Sequence, residues 1–453
     1  MMAMRLLFLL ISSTFLLVGC DDTDSKGIVS TIFLSEEVIN VSEPLGTFTF
    51  SGGKTLELDV GIGSGAFHFK DDKITEFYTI TDRGPNISCG NSEEILNVKD
   101  FCQYDGKVDE ESKIFPMPDY RPKIYKFSIA TSGVVGAKVG YDVIETLEIT
   151  DRDGDPVRGL TNPLKVTTTE KGYDSNGNLL DFDPEGIDTE ALVKLSDGTF
   201  WVAEEYAPSL LHISATGRIL ERLVPEGVQY DLADANYDVI GMLPAILKKR
   251  QLNRGIESLA VSPEEEYLYF IMQSPLANPD SDTFEDARHV RLFKISLRNG
   301  NADKIIGEYV YVLDKPQTFP LDNKDKQAKV KISEMVALDY DKLIILERIT
   351  QQTKLYQVKN LDAATNILGT NWDNEKTSPS LEQLTDLMTQ TIIPVGKKLV
   401  FDSKENEPDL AKKIEGIAVL NDEYVALIND NDFGIEGDQS RIHVKKLYDQ
   451  LNQ

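Results

Sequence analysis

The sequence predicts an all-β fold, a β-propeller, and three observations predict it. The first is a recurring pattern: a small or acidic turn, an apolar strand, a polar hairpin, a second apolar strand, then polar residues. The second is strand composition: segments such as Phe200-Trp201-Val202-Ala203 and Tyr267-Leu268-Tyr269-Phe270-Ile271 are apolar on both faces, as blades packed between neighbours require. The third is the scarcity of helical periodicity, which is confined to brief pieces near 244–252 and 381–388.

Five segments carry the pattern in chain order. Ser64-Gly65-Ala66-Phe67 leads to Phe77-Tyr78-Thr79-Ile80-Thr81-Asp82, and Glu185-Gly186-Ile187-Asp188 leads to Phe200–Glu204 and Glu205. Glu257-Ser258-Leu259-Ala260 leads to Tyr267–Met272 and Gln273. Glu334-Met335-Val336-Ala337 leads to Leu343-Ile344-Ile345-Leu346-Glu347-Arg348, and Glu415-Gly416-Ile417-Ala418 to Tyr424-Val425-Ala426-Leu427-Ile428-Asn429-Asp430. From Glu185 onward the starts lie roughly 70–80 residues apart. The longer gap after Ser64 leaves room for a disguised repeat or for large insertions. Ser196-Asp197-Gly198, Pro263-Glu264-Glu265 and Asn421-Asp422 supply turn chemistry between strands. Radial repetition of small antiparallel sheets leaves few exposed edges, which is the propeller arrangement. Six blades with long loops are favoured at this spacing, five or seven also being compatible.

The N-terminus predicts export. Residues 1–5 carry one positive charge, and residues 6–18 are an unbroken apolar or small-hydroxyl run, too short for a comfortable membrane span. The run ends in Leu17-Val18-Gly19-Cys20, which resembles the lipobox of bacterial lipoproteins, so Cys20 is expected to become the lipidated N-terminus. Several acyl chains would hold the body firmly at a bilayer. The expected organisation is a signal peptide over 1–19, a lipidated tether over 20–45 and one propeller domain over 46–453. The expected location is the cell envelope: the periplasmic face of the inner or outer membrane, or the cell surface. With Cys20 spent on lipid, Cys89 and Cys102 remain, and an even pair in an oxidising compartment reads as a disulfide.

A net charge of −28 argues against nucleic acid or anionic lipid as a direct partner. A small anionic substrate is expected to approach only where bound cations screen the site, and the chain is expected to act as a monomer.

Four repeats open with Glu: Glu185, Glu257, Glu334 and Glu415. Equivalent positions of successive blades lie on one ring around the axis. Like charges at ~5 Å with an effective dielectric near 20 cost about 3 kcal/mol per pair, so such a ring must bind a cation, hold protons or keep its members apart. The second strands end in further oxygen ligands: Asp82, Glu204-Glu205, Gln273, Glu347 and Asn429-Asp430-Asn431-Asp432. An all-oxygen set suits Ca²⁺, and no histidine pair has zinc-site spacing. The competing reading is that each Glu caps a neighbouring blade and the acidic strand ends are solvated rims. Asp151-Arg152-Asp153-Gly154-Asp155 and Asp174-Ser175-Asn176-Gly177-Asn178 begin like calcium loops, but Pro156 and Leu179 stand where an EF-hand needs glycine, so both read as acidic turns. Gly61-Ile62-Gly63-Ser64-Gly65 matches no nucleotide-binding loop, and no Ser/His/Asp set is evident.

At several of these residues the chain resembles the phytase-like family, described as "esterase-like activity of phytase". The resemblance rests on Thr81-Asp82-Arg83-Gly84-Pro85-Asn86, on Phe182-Asp183-Pro184-Glu185-Gly186-Ile187-Asp188 and on Trp201-Val202-Ala203-Glu204-Glu205-Tyr206. It continues through Arg254-Gly255-Ile256-Glu257-Ser258-Leu259, Lys413-Ile414-Glu415-Gly416-Ile417-Ala418 and Asn429-Asp430-Asn431-Asp432-Phe433-Gly434, and covers about residues 46–444. It implies an extracytoplasmic propeller that hydrolyses phosphoester or ester bonds. Carried over by motif, Asp82, Glu185, Glu205, Glu257, Glu415, Asp430 and Asn431 would line the channel mouth. Asp82, Glu185, Glu257, Glu415, Asp430 and Asn431 would hold calcium, and Glu185 or Glu205 would act as general base. Arg83 and Arg348 stand beside acidic strand ends, and their two readings are contact with a phosphate and ion pairs within the acidic rim. The function expected is calcium-dependent phosphoester hydrolysis. The alternatives are a non-catalytic ligand- or protein-binding propeller, and a metal-dependent lactonase or esterase.

Overall fold

The computed structural model describes residues 34–452 except 134, 135 and 137. The expected signal peptide and Cys20 lie outside the described residues. Among the described residues, five antiparallel sheets radiate from one axis. The first blade is built from Gly65–Phe67, Glu76–Ile80, Lys123–Ala130 and Gly140–Glu148, counted from the inside. The second is Thr189–Lys194, Phe200–Glu204, Ser209–Ile213 and Ile219–Pro225, with Asp238–Leu243 added in parallel at its edge. Ile256–Val261, Tyr267–Met272, His289–Arg298 and Asn301–Val312 form the third, and Lys331–Asp339, Lys342–Arg348, Thr353–Lys359 and Lys397–Asp402 the fourth. The fifth is Ile414–Val419, Val425–Asn429 and Ser440–Lys445, closed on the outside by Glu37–Val41 from the other end of the chain.

The five innermost strands pack in a closed cycle, each against the next and the fifth against the first. The propeller therefore has five blades, one of the numbers the repeat spacing left open, rather than six. The long gap after Ser64 holds an insertion instead of a blade. Ile87–Ser88, Lys113–Ile114, Gly172–Tyr173 and Leu179–Leu180 pair into a small separate sheet. The Cys89–Cys102 disulfide staples this lobe, its Cα atoms 5.8 Å apart. Residues 37–41, expected within the tether, are the strand that joins the two ends of the ring.

The second strands are buried on both faces, Phe200–Glu204 along its whole length, because each sheet is sandwiched between two others. Stacked rings such as Phe270 on Phe293, 4.6 Å between centroids, fill the space between adjacent strands of one blade. The turn residues act as their chemistry requires: Asp197 Oδ1 accepts from the Thr199 amide at 2.9 Å, and Asn421 Oδ1 from the amides of Glu423 and Tyr424. The helical pieces are single turns, as at Ala245–Lys249 and Leu381–Gln383. No helix among the described residues is long and apolar enough to cross a membrane.

Candidate functional site at one end of the propeller axis

Register decides which side chains reach the axis. In four blades the pairing of the innermost strand with the second is interrupted by one extra residue at its start. The unpaired residue is Glu190 in the second blade, Glu257 in the third, Ser333 in the fourth and Glu415 in the fifth. A bulge of this kind re-aims the side chain it frees. Glu190, Glu257 and Glu415 line one cavity of about 460 Å³ at this end of the axis. The ends of the second strands form another tier: Glu205, Gln273 and Asp430 directly after their strands, Arg348 as the last residue of its strand, and Asp82 two residues beyond the strand of the first blade. Asp82, Glu205, Arg348 and Asp430 line the same cavity.

Two of the expected ligands stand elsewhere. Glu185 is not on the ring: it lies in the loop before the strand, and its Oε1 accepts from the Asn236 amide at 2.7 Å. The true counterpart of Glu257 and Glu415 in the second blade is Glu190, five residues on. Gly186, which made the Glu-Gly-Ile segment look like a strand start, is small for another reason. A Cβ there would come within 1.9 Å of the Leu160 carbonyl oxygen of the insertion. Asn431 is also committed to the backbone: its Oδ1 accepts from the Phe433 amide and its Nδ2 donates to the Val60 carbonyl. Glu334 sits one register position past the bulge. Its carboxylate accepts from its neighbour Met335 (2.8 Å) and from Ala66 of the first blade (3.2 Å), tying two blades together.

The residues that the structure brings together form an acidic side and a cationic side. One carboxylate oxygen each from Asp82, Asp188 and Glu190 lie within 4.8 Å of one another. Asp188 and Glu190 went unnoticed as site residues in the sequence. The signal was present in the strand cores: Thr189-Glu190-Ala191-Leu192, Ile256-Glu257-Ser258-Leu259 and Ile414-Glu415-Gly416-Ile417 share a β-branched residue, Glu, a small residue and an aliphatic one. Burial pushes the Asp82 carboxyl well above the usual range, and neighbouring Asp188 and Asp430 add to it. Glu190 is raised strongly by burial and then by Asp188, Glu205 and Glu257. Glu205 is raised in the same way by burial and Glu257, and its buried Oε1 has no hydrogen-bond partner. Glu204 beside it is fully used, pairing with Arg222 at 2.9 Å and accepting from the amides of Asp188 and Tyr206.

The cationic side comes from blades three to five and from loops: Lys113, Arg254, Lys324, Lys329, Lys331, Arg348 and Lys413. Arg348 pairs with Glu415 and donates Nε to Ser333 Oγ at 2.9 Å, while that hydroxyl donates to Glu257 at 2.9 Å. Lys331 lies 4.0 Å from Glu257, and burial beside Arg348 holds its ammonium below the ordinary lysine range. Lys413 pairs with Asp432 at the rim. These cationic side chains share the cavity with the carboxylates and pair with several of them. Arg83 is nearly wholly buried in the cavity wall. Its guanidinium pairs with Glu170 (3.0 Å) and Asp188 (3.4 Å) and lies between the rings of Phe115 and Tyr206. The two calcium-loop look-alikes are turns: Asp151 accepts from the amides of Asp153 and Asp155, and Asp174 from those of Asn176 and Asn178.

Comparison with known proteins gives these observations a family. A fungal protein of Arthroderma benhamiae, called an uncharacterized secreted protein, is 26% identical over 194 residues, and the match spans 38% of this chain and 38% of that one. Among solved structures, the Malassezia sympodialis allergen Mala s 1 covers 91% of this chain and 96% of its own at 8% identity and a TM-score of 0.33. The periplasmic gluconolactonase of Pseudomonas aeruginosa covers 91% and 97% at 10% identity and 0.30. At those scores they say nothing of chemistry. The model of the phytase-like family, "esterase-like activity of phytase", matches residues 64–433, from the first inner strand to the cavity rim, and the chain belongs to that family.

Proposed function

We propose that this protein is an exported, envelope-anchored, metal-dependent hydrolase of phosphoesters. The observation that carries the reading is one cavity in which a cluster of hard oxygen ligands, Asp82, Asp188 and Glu190, faces cationic side chains from blades three to five. The oxygen set fits calcium: Ca–O distances of about 2.3–2.6 Å allow ligands of one ion to lie up to ~5 Å apart, the spread of this cluster. Three carboxylates held this close repel one another, and a bound ion would relieve that repulsion as protons otherwise do. When bound, a divalent ion would neutralise and polarise a phosphoryl oxygen.

The remaining work belongs to the chain. Asp82, Asp188 and Glu190 would hold the ion, with Arg83 fixing Asp188 from behind. Arg254, Lys331 and Lys413 would orient the anionic group from the opposite wall. Glu205, with a free buried oxygen, is the group placed to take a proton from water or return it to the leaving oxygen. Cationic lining favours a phosphoester over a neutral lactone, which would gain little from it. Export agrees with the disulfide and with the name of the fungal relative, and anchoring rests on Cys20. The test is hydrolysis of a model phosphomonoester, of phytate and of a lactone by the body from residue 34, with calcium and with chelator. Chelator-sensitive phosphate release supports the reading. Turnover of the lactone alone, or tight ligand binding without turnover, replaces it.

A further inference from the structure

The described residues begin at the end of the propeller remote from the acidic cavity. Glu37–Val41 runs antiparallel to Ser440–Lys445, with Glu37 opposite Val444 and Val41 opposite Ser440. Lys445 in turn pairs with Val425 and Ile442 with Ile428, one residue short of the Asn429-Asp430 end. Asp430 lines the acidic cavity, whereas Val419, the partner of Val425, lines an apolar cavity of about 200 Å³ at the other mouth of the channel. Glu37 therefore stands at the apolar mouth and Val41 at the acidic one. The amide of Ser35 donates to Thr131 Oγ1 at 3.0 Å, just beyond the strand Lys123–Ala130 at the same end.

We infer that the anchored protein holds its acidic cavity away from the lipid surface and turns the apolar mouth of the channel, around Phe69, Val261, Pro263 and Tyr448, toward it. The inference rests on the anchoring read at Cys20 and is independent of hydrolysis. Residues 21–33 link that cysteine to the body and reach at most ~45 Å when fully extended. With the cavity facing lipid, this link would have to climb a blade of ~17–20 Å and pass its rim, which removes most of its conformations. With the cavity facing out, the link is unconstrained. The whole chain's net charge of −28 adds repulsion from anionic lipid. An outward cavity is also the one that a water-borne anionic ester can enter.

The full-length lipoprotein in phosphatidylethanolamine–phosphatidylglycerol vesicles tests this. Cys89 and Cys102 are paired and Cys20 is acylated in that form, so an added cysteine is the only free thiol. Asp71→Cys marks the exposed loop at the apolar mouth, and Asp325→Cys the exposed loop between Lys324 and Lys329 at the acidic rim. Each is labelled with a fluorophore, and the vesicles carry a nitroxide-headgroup lipid. The expected result is quenching about threefold or more stronger at position 71, because a blade length separates the faces. Equal quenching, or stronger quenching at 325, overturns the orientation while anchoring stands. Wild-type protein that fails to sediment with vesicles, or an N-terminal peptide without acyl mass, overturns both.

Discussion

Asp188 and Arg83 face each other at 3.4 Å, carboxylate to guanidinium, with both side chains about 97% buried. Arg83 also holds Glu170 at 3.0 Å and donates Nε to the Gly159 carbonyl, so one guanidinium ties the first blade, the insertion and the second blade together. Removing it leaves the buried carboxylates of Glu170 and Asp188 without this counter-charge, although Asp188 still accepts from the backbone amide of residue 83. Arg83→Met is expected to cost about 3–5 kcal/mol of stability, read as a lower urea midpoint at unchanged slope. An Arg83→Met protein as stable as wild type would show that Asp188 finds its counter-charge elsewhere.

The register of the second blade gives a paired test. Glu190→Gln removes a charge from the Asp82–Asp188–Glu190 cluster, whereas Glu185→Gln removes one from a loop five residues away that binds the Asn236 amide. Calcium affinity by titration calorimetry is expected to fall about tenfold or more in the first, equivalent to about 1.4 kcal/mol, and to stay within twofold in the second. The opposite ranking would restore Glu185 to the ring.

The propeller was legible because each strand declares itself over a few residues. An apolar run such as Leu343-Ile344-Ile345-Leu346, bounded by turn residues, needs no distant information. The blade count was not, since the two-residue strands Ile87–Ser88, Lys113–Ile114, Gly172–Tyr173 and Leu179–Leu180 fall on either side of the first blade's outer strands and stretch that repeat toward the length of two. The ring of carboxylates was half legible. Glu257 and Glu415 fall where the repeat puts them, but a bulge moves the reading frame by one, and a Glu-Gly-Ile set by packing against Leu160 drew attention from Glu190. The cationic wall was hidden for a different reason. Lys113, Lys324 and Lys329 lie on a two-residue strand of the inserted lobe and on a connecting segment whose destinations depend on tertiary packing, and a net charge of −28 masks a local balance.

The disulfide has a local role in the same cavity. Ser88, Asn91 and Ile95 of the stapled lobe line it beside Lys113. Closing a loop of this length contributes about 3 kcal/mol in the chain-entropy account. In the Cys89→Ser/Cys102→Ser double variant, proteolysis is expected to begin within residues 87–114, while the five-bladed body keeps its far-ultraviolet signal. Unchanged resistance of the lobe to protease would place its stability in the apolar packing of Leu96, Ile114 and Tyr173 instead.

Stability should depend on pH in a direction set by the buried acids. Asp82, Glu190 and Glu205 all have folded-state values raised well above the unfolded ones, so between the two values the native state holds more protons than the unfolded chain. In metal-free protein the contribution of these three groups is therefore fully present below about pH 4, where both states are protonated at them, and falls as pH rises toward the raised values. Calcium reverses the sense: it binds the ionised carboxylates, so its stabilisation grows over the same interval. Melting temperatures from pH 5 to 8, with chelator and with calcium, are expected to diverge as pH increases, and Glu190→Gln should narrow the gap by flattening the chelator curve. Parallel curves across that range would mean that these three carboxylates are compensated by Lys331, Lys413 and their neighbours rather than by an ion, and the metal assignment would fall with them.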